Sequence, residues 1–193
     1  MIRFALTLFV ALACDISCMA QEHIKPYNVP GKMAGIKQPT EMACWITVYT
    51  IMTNWKDGKS ATVAQTADAL GEPWLTYFKT DTGLPPDDEQ KFMKQGGLKS
   101  EPPASYMLIA YADWLKQHGP VWIVTGGLRG RHARLLTGID GDGTYDKTDF
   151  IFIDPATGTT VKENARKFFD KYEREAKLAN IYNWELHLQI FHF

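Results

Sequence analysis

The hydrophobic period of this chain shifts from helical to extended at Gly119-Pro120, and that change divides it into two unlike halves. Before it, apolar residues recur at helical spacing: Cys44, Val48, Ile51 and Trp55 step by four, three and four, with Tyr49 and Met52 beside them. Thr40, after Pro39, is placed to cap this helix, and Lys56-Asp57-Gly58 ends it. Further helices are expected over 60–70, stopped by Gly71, over 86–95, with Asp87, Asp88 and Glu89 at its positive end, and over 104–118. Residues 21–39 carry three prolines and two glycines and read as an extended arm. After Pro120 the pattern is that of short strands, over 121–124, 132–139 and 150–154, with a glycine- and arginine-rich loop at 126–131. A charged amphipathic helix over 162–179 and an alternating strand over 184–190 complete the chain. Helices first and mostly antiparallel strands later indicate an α+β fold. One domain is expected over 21–193, its helical half at 21–119 and its β half at 120–193.

A chain of 193 residues, 45% hydrophobic, is long enough to close a core. Lys plus Arg number 21 against 22 for Asp plus Glu, so a dedicated nucleic-acid binder is excluded. HExxH, paired CxxC and Walker patterns are all missing, and no metal or other cofactor is expected. Asp140-Gly141-Asp142-Gly143 lacks the distal glutamate of a calcium loop and reads as a turn.

Residues 1–20 have the layout of a secretory signal: Arg3, an apolar run over 4–13, then Cys18-Met19-Ala20 with small side chains at the cleavage positions. Cleavage is expected between Ala20 and Gln21, which predicts an exported, periplasmic or secreted protein. The apolar run is about half of the roughly 20 residues a membrane span needs, and no other segment is apolar enough to span. A lipid anchor at Cys14 is disfavoured because Leu12 stands one place late. Removing the leader takes Cys14 and Cys18 with it and leaves Cys44 as the lone thiol. In an oxidising compartment an unpaired thiol is either buried and inert or retained for its chemistry.

The surroundings of Cys44 favour chemistry. It lies in the first turns of its helix, where free backbone N–H groups and the helix dipole favour a thiolate. Of the histidines, His132 opens a strand whose return strand ends at Asp154, and the midpoint between the two falls on Gly143 in the glycine turn. A bulge-free hairpin centred there sets His132 and Asp154 across from each other, close enough for an imidazole–carboxylate hydrogen bond. Nucleophile, base and orienter are the parts of covalent acyl transfer. Gln38, six residues before Cys44, is positioned to supply an amide N–H to an oxyanion. Most of the six tryptophans are expected in the core, with Trp45 the best exception because it follows the nucleophile. Arg129, Arg131 and Arg134 flank His132. Arg131 is the candidate for a substrate carboxylate, although a solvated loop is the simpler expectation.

Gln38, the Cys44-Trp45 pair, Gly119-Pro120 before a hydrophobic strand, His132-Ala133 and Asp154-Pro155 occur in that order. This series resembles the papain-like cysteine peptidases, above all the short bacterial branch that includes bacteriocin leader-processing peptidases and plant-pathogen effector proteases. The resemblance runs from about residue 30 to about residue 158. It implies a helical half carrying Cys44, a β half carrying His132 and Asp154, and a substrate cleft between them. Glu41-Met42-Ala43 stands where papain has small residues, and Asp154 where papain has asparagine. The expected activity is hydrolysis of peptide bonds in a protein or peptide substrate by a monomer. The alternatives are an amidase cutting peptidoglycan stem peptides and a non-catalytic peptide-binding protein of the same fold.

Overall fold

The computed structural model describes residues 24–126 and 130–193. The leader and Arg129 lie outside the described residues. Among the described residues, six helices and an antiparallel sheet form around the change of period at Gly119-Pro120, helices mostly before it and strands mostly after.

The helices of the first half are α1 Cys44–Asp57, α2 Val63–Leu70, α3 Trp74–Lys79, α4 Glu89–Gly96 and α5 Leu108–His118. Helix α1 starts three residues later than a Thr40 cap predicts: Ala43 is its N-cap, and no side chain caps it. By contrast, Thr62 heads α2 with a capping box, its hydroxyl accepting from the Gln65 N–H while the Gln65 side chain accepts from the Thr62 N–H. Helix α3, too short to show a period, is absent from the sequence expectation. The expected 86–95 helix begins as a 3-10 turn, Pro86–Asp88, before α4.

The strands are β1 Tyr27–Asn28, β2 Lys99–Ser100, β3 Val121–Thr125, β4 His132–Gly141, β5 Thr148–Asp154, β6 Thr159–Asn164 and β7 Ile190–His192. They run in the order β2-β7-β3-β4-β5-β6, with β1 also paired to β4. Residues 162–164, expected to be helical, belong to β6, which pairs with β5 along its whole length. Gly158, in the left-handed region at φ +73°, turns the chain after Asp154, and the β-branched Thr159-Thr160-Val161 favours extension. Helix α6, Ala165–Tyr182, therefore starts at the Asn164 cap. The terminal strand is shorter than its alternation predicts, because Asn183 ends α6 in the left-handed region and Trp184 is left 63% exposed.

The sheet separates two cores. Alternation along β3 directs Trp122 and Val124 to one face and Val121 and Ile123 to the other. Ile46, Val48, Met52, Trp74 and Phe92 fill the first core, against Trp122, Leu135 and Ile153. In the second, α5 and α6 bring Tyr111, Leu115, Phe168 and Tyr172 against Ile123, Phe150 and Phe152. Both cores have aromatic rings at their centres, Phe92 edge-on to Trp45, Trp74 and Trp122, and Phe168 edge-on to Tyr111 and Phe150. Two packed faces hold the sheet rigid, and the strand ends carrying His132 and Asp154 are fixed with it.

Candidate active site

Cys44 is the first residue of α1 and is partly exposed. The turn that delivers it is braced from both sides. Gln38 Nε2 donates to the Thr40 and Glu41 carbonyls at 2.8 and 2.7 Å, while Asp81 Oδ1 accepts the Met42 N–H at 2.9 Å. Hydrogen bonds from the Thr40 hydroxyl and the Met42 and Glu41 N–H groups hold the Asp81 carboxyl below its ordinary range against a desolvation cost. Asp81 itself is left-handed, at φ +52°, a conformation uncommon outside glycine and retained here by these bonds. No sequence motif marks Asp81, which comes from the turn after the unforeseen α3.

The expected oxyanion role of Gln38 meets a different geometry. Its amide directs both hydrogens at carbonyl oxygens of the turn, and the reversed amide would set oxygen against oxygen. Gln38 therefore shapes the turn before Cys44, with no amide hydrogen left for the sulfur. Its backbone N–H donates to the Pro155 carbonyl at 2.8 Å, which ties this arm to the turn after Asp154. The arm and that turn are in close contact: a Cβ on Gly35 would lie 2.2 Å from the Gly158 carbonyl oxygen.

His132 opens β4, opposite Thr125 on β3, and its Nε2 lies 2.9 Å from Asp154 Oδ1. The two residues pair diagonally, where a bulge-free hairpin centred on Gly143 predicts direct opposition. Leu135 pairs with Ile153, which puts Asp154 across from Arg134, two residues beyond His132. The cause lies in the hairpin, whose last rung is Gly141 with Thr148, so its loop is centred beyond Gly143, and a bulge between Leu136 and Gly138 takes back one residue. A shift of two keeps both side chains on one face, and a diagonal pair is within reach of an imidazole. Asp154 Oδ1 also accepts the Ala156 N–H at 2.9 Å.

These contacts set the charges. Burial opposes ionisation of Asp154, but the hydrogen bonds from His132 and Ala156, with the positive charges of His132 and Arg134, hold its carboxyl below the ordinary range. Burial also disfavours a charged His132. The hydrogen bond to Asp154, the hydrogen bond with the Cys44 side chain and the charges of both partners outweigh it and push the imidazole up to about 9. With Nε2 engaged by Asp154, Nδ1 is the nitrogen left for the sulfur.

Cys44 and His132 line a cleft of about 400 Å³, whose apolar side chains include Met42, Trp45, Leu84, Trp122 and Val124. Trp45 is only 3% exposed and packs edge-on against Phe92 and Trp74, so it is a core residue that forms the cleft wall more than a freely presented contact. Trp74 is fully buried, and Trp122 is buried but for the edge that lines the cleft, in keeping with a core assignment.

Arg131 lines the cleft as well, but its guanidinium is already bound. It hydrogen-bonds Glu89 and the Leu188 carbonyl and pairs with Glu175 at 3.2 Å. The expected substrate-carboxylate role is therefore taken by the protein's own carboxylates. Glu89 is 5% exposed; burial and the charge of Glu175 push its carboxyl up to about 7 against the opposing pull of Arg131. The Asp140–Gly143 segment is a turn, in which Asp142 Oδ1 accepts the Thr144 N–H and hydroxyl. Among the described residues no group of three His, Cys, Asp or Glu side chains could hold a metal ion, and no helix is long and apolar enough to cross a membrane.

A cysteine at a helix start, a histidine held by a carboxylate and a cleft between helices and sheet are what the sequence resemblance implies. No curated protein matches the chain. Residues 23–173 match the model of the family described as papain-like cysteine protease AvrRpt2, and the chain belongs to that family of cysteine-type peptidases.

Proposed function

We propose that this protein is an exported endopeptidase in which Cys44 is the nucleophile, His132 the acid–base group and Asp154 the orienter. The observation that carries this reading is the hydrogen bond from His132 Nε2 to Asp154, which directs Nδ1 to Cys44 at the mouth of the cleft. The Cys44 thiolate attacks the scissile carbonyl, and the C–N bond breaks as His132 Nδ1 passes its proton to the leaving amine. His132 then takes a proton from water, which attacks the thioester and releases the acid. Backbone N–H groups at the start of α1 face the developing oxyanion, since no side chain caps that helix end. The Gln38 amide could join them only by releasing the Thr40 or Glu41 carbonyl. Met42, Trp45, Leu84 and Trp122 offer an apolar wall to a substrate side chain. Export rests on the leader, and the mature chain begins at Gln21 in this proposal.

Reaction of the protein with a peptidyl epoxide, followed by mass mapping, tests the assignment. A single adduct on Cys44, absent from Cys44→Ala, and cleavage of casein are expected. An unlabelled Cys44 in a folded protein overturns the reading. Cleavage of purified cell wall but not casein would make the substrate a peptidoglycan stem peptide.

A further inference from the structure

We infer that Arg131 is a positioning residue, a clamp that fixes His132 by tying the start of its strand to the opposite half of the molecule. The inference rests on the proposed roles of Cys44 and His132. The β3–β4 ladder ends at Thr125 with His132, so the sheet makes no rung at residue 131. Residue 131 is held there by its side chain. The guanidinium takes acceptors from three separate parts of the fold: Glu89 at the first turn of α4, Glu175 in α6, and the Leu188 carbonyl in the segment leading to β7.

The partners lie far apart in sequence, and the first belongs to the helical half while the others belong to the β half. The side chains are 22% exposed for Arg131, 7% for Glu89 and 12% for Glu175, so water screens the contacts weakly. Two carboxylates against one guanidinium is a costly group to bury, and removing one member leaves the others uncompensated. A group with this cost beside the catalytic histidine fits a geometric role. A planar fork with five N–H donors can meet three acceptors in fixed directions, which a lysine ammonium on a flexible stem does not reproduce. His132 is the next residue along the backbone, so rotation or displacement at residue 131 is transmitted to the ring. Its distance to Cys44 changes while the hydrogen bond to Asp154 can follow.

Inactivation by a peptidyl epoxide separates positioning from binding, because the inactivation rate constant reads the Cys44–His132 geometry and the inhibition constant reads the cleft. In Arg131→Ala the rate constant is expected to fall roughly tenfold to hundredfold, with the inhibition constant within about threefold of wild type. Alkylation of Cys44 by iodoacetamide should lose its reactivity at mildly acidic pH in the same variant. Arg131→Lys should recover only part of either loss, and it stands alone as the test if Arg131→Ala does not fold. A wild-type rate constant and alkylation profile in the folded variants overturn the inference, as does an effect confined to the inhibition constant, which would make Arg131 a substrate contact. Failure of wild-type Cys44 to react with the epoxide removes the peptidase reading and this inference together.

Discussion

Asp154 holds His132 from a diagonal position, two residues along the ladder: its Oδ1 takes both the imidazole Nε2 and the Ala156 N–H, each at 2.9 Å. An asparagine oxygen can accept the same two hydrogen bonds, so Asp154→Asn removes charge while preserving geometry. Turnover should fall by roughly tenfold, and the alkaline limb of the pH–rate profile should move to lower pH, since the carboxylate helps to raise His132. His132→Ala removes the acid and the base together and should cost roughly a hundredfold to ten-thousandfold. Steady-state rates across pH check both, and equal losses in the two variants would assign the carboxylate a larger part than orientation.

The raised His132 has a consequence for stability. Its folded value, about 9, lies above that of an unfolded histidine, so its contribution is complete below about pH 6.5 and is lost as pH rises through about 9. Asp154 works in the opposite direction: it contributes above the ordinary carboxylate range and loses that contribution on acidification. The pair therefore stabilises the fold most between mild acid and neutrality. The urea midpoint of wild type should exceed that of His132→Ala by its largest margin near pH 6 and by a shrinking margin toward pH 10. The effect should be small, because the imidazole is 35% exposed. A margin that grows with pH would contradict the pairing.

The α+β division was legible because the hydrophobic period shifts at Gly119-Pro120, and β3, β4 and β5 were legible as short apolar runs. Cys44, His132 and Asp154 could be found because each stands at the start or end of an element. What local patterns do not encode was missed. The register of β4 on β5 depends on a loop length and a bulge, and it shifted by an even number, so the His132–Asp154 contact survived a wrong midpoint. Lys162 and Glu163 read as helix surface, yet in β6 they pair with Asp140 and Arg134, contacts that only the folded sheet creates. Likewise Asp81 and the Glu89–Arg131–Glu175 group draw their members from segments tens of residues apart. The one hint was Glu89 in an acidic first turn, where it resembled an ordinary dipole-stabilising residue.

Glu89 should make stability depend on pH in the opposite sense to a paired surface carboxylate. Burial raises it from an ordinary 4.5 to about 7 while Arg131 and Glu175 face it. Its contribution is therefore present below the unfolded value and is lost as pH rises through about 7. Glu89→Gln retains the shape and an acceptor for Arg131 but cannot ionise. Relative to wild type, the variant should gain stability from about pH 5 to about pH 8 and then level off. Urea midpoints across that range check it, and a wild type that gains on Glu89→Gln as pH rises would mean that the ion pair with Arg131 outweighs burial.

Gln38 provides a test that separates two roles for one amide. If it serves only the oxyanion, Gln38→Ala lowers turnover and leaves stability untouched. Its bonds to the Thr40 and Glu41 carbonyls predict a structural loss as well, about 1 kcal/mol for contacts at the surface. The charged isostere makes the stronger distinction. In Gln38→Glu a carboxylate replaces the N–H donors that face two carbonyl oxygens, and acceptor against acceptor is repulsive. Gln38→Glu should therefore be less stable than Gln38→Ala at neutral pH and should recover on acidification, when a protonated carboxyl can again donate to one carbonyl. Thermal unfolding of the two variants at neutral and mildly acidic pH measures this directly. Equal stability at both pH values would mean that the amide is free of the turn, which would return Gln38 to the oxyanion.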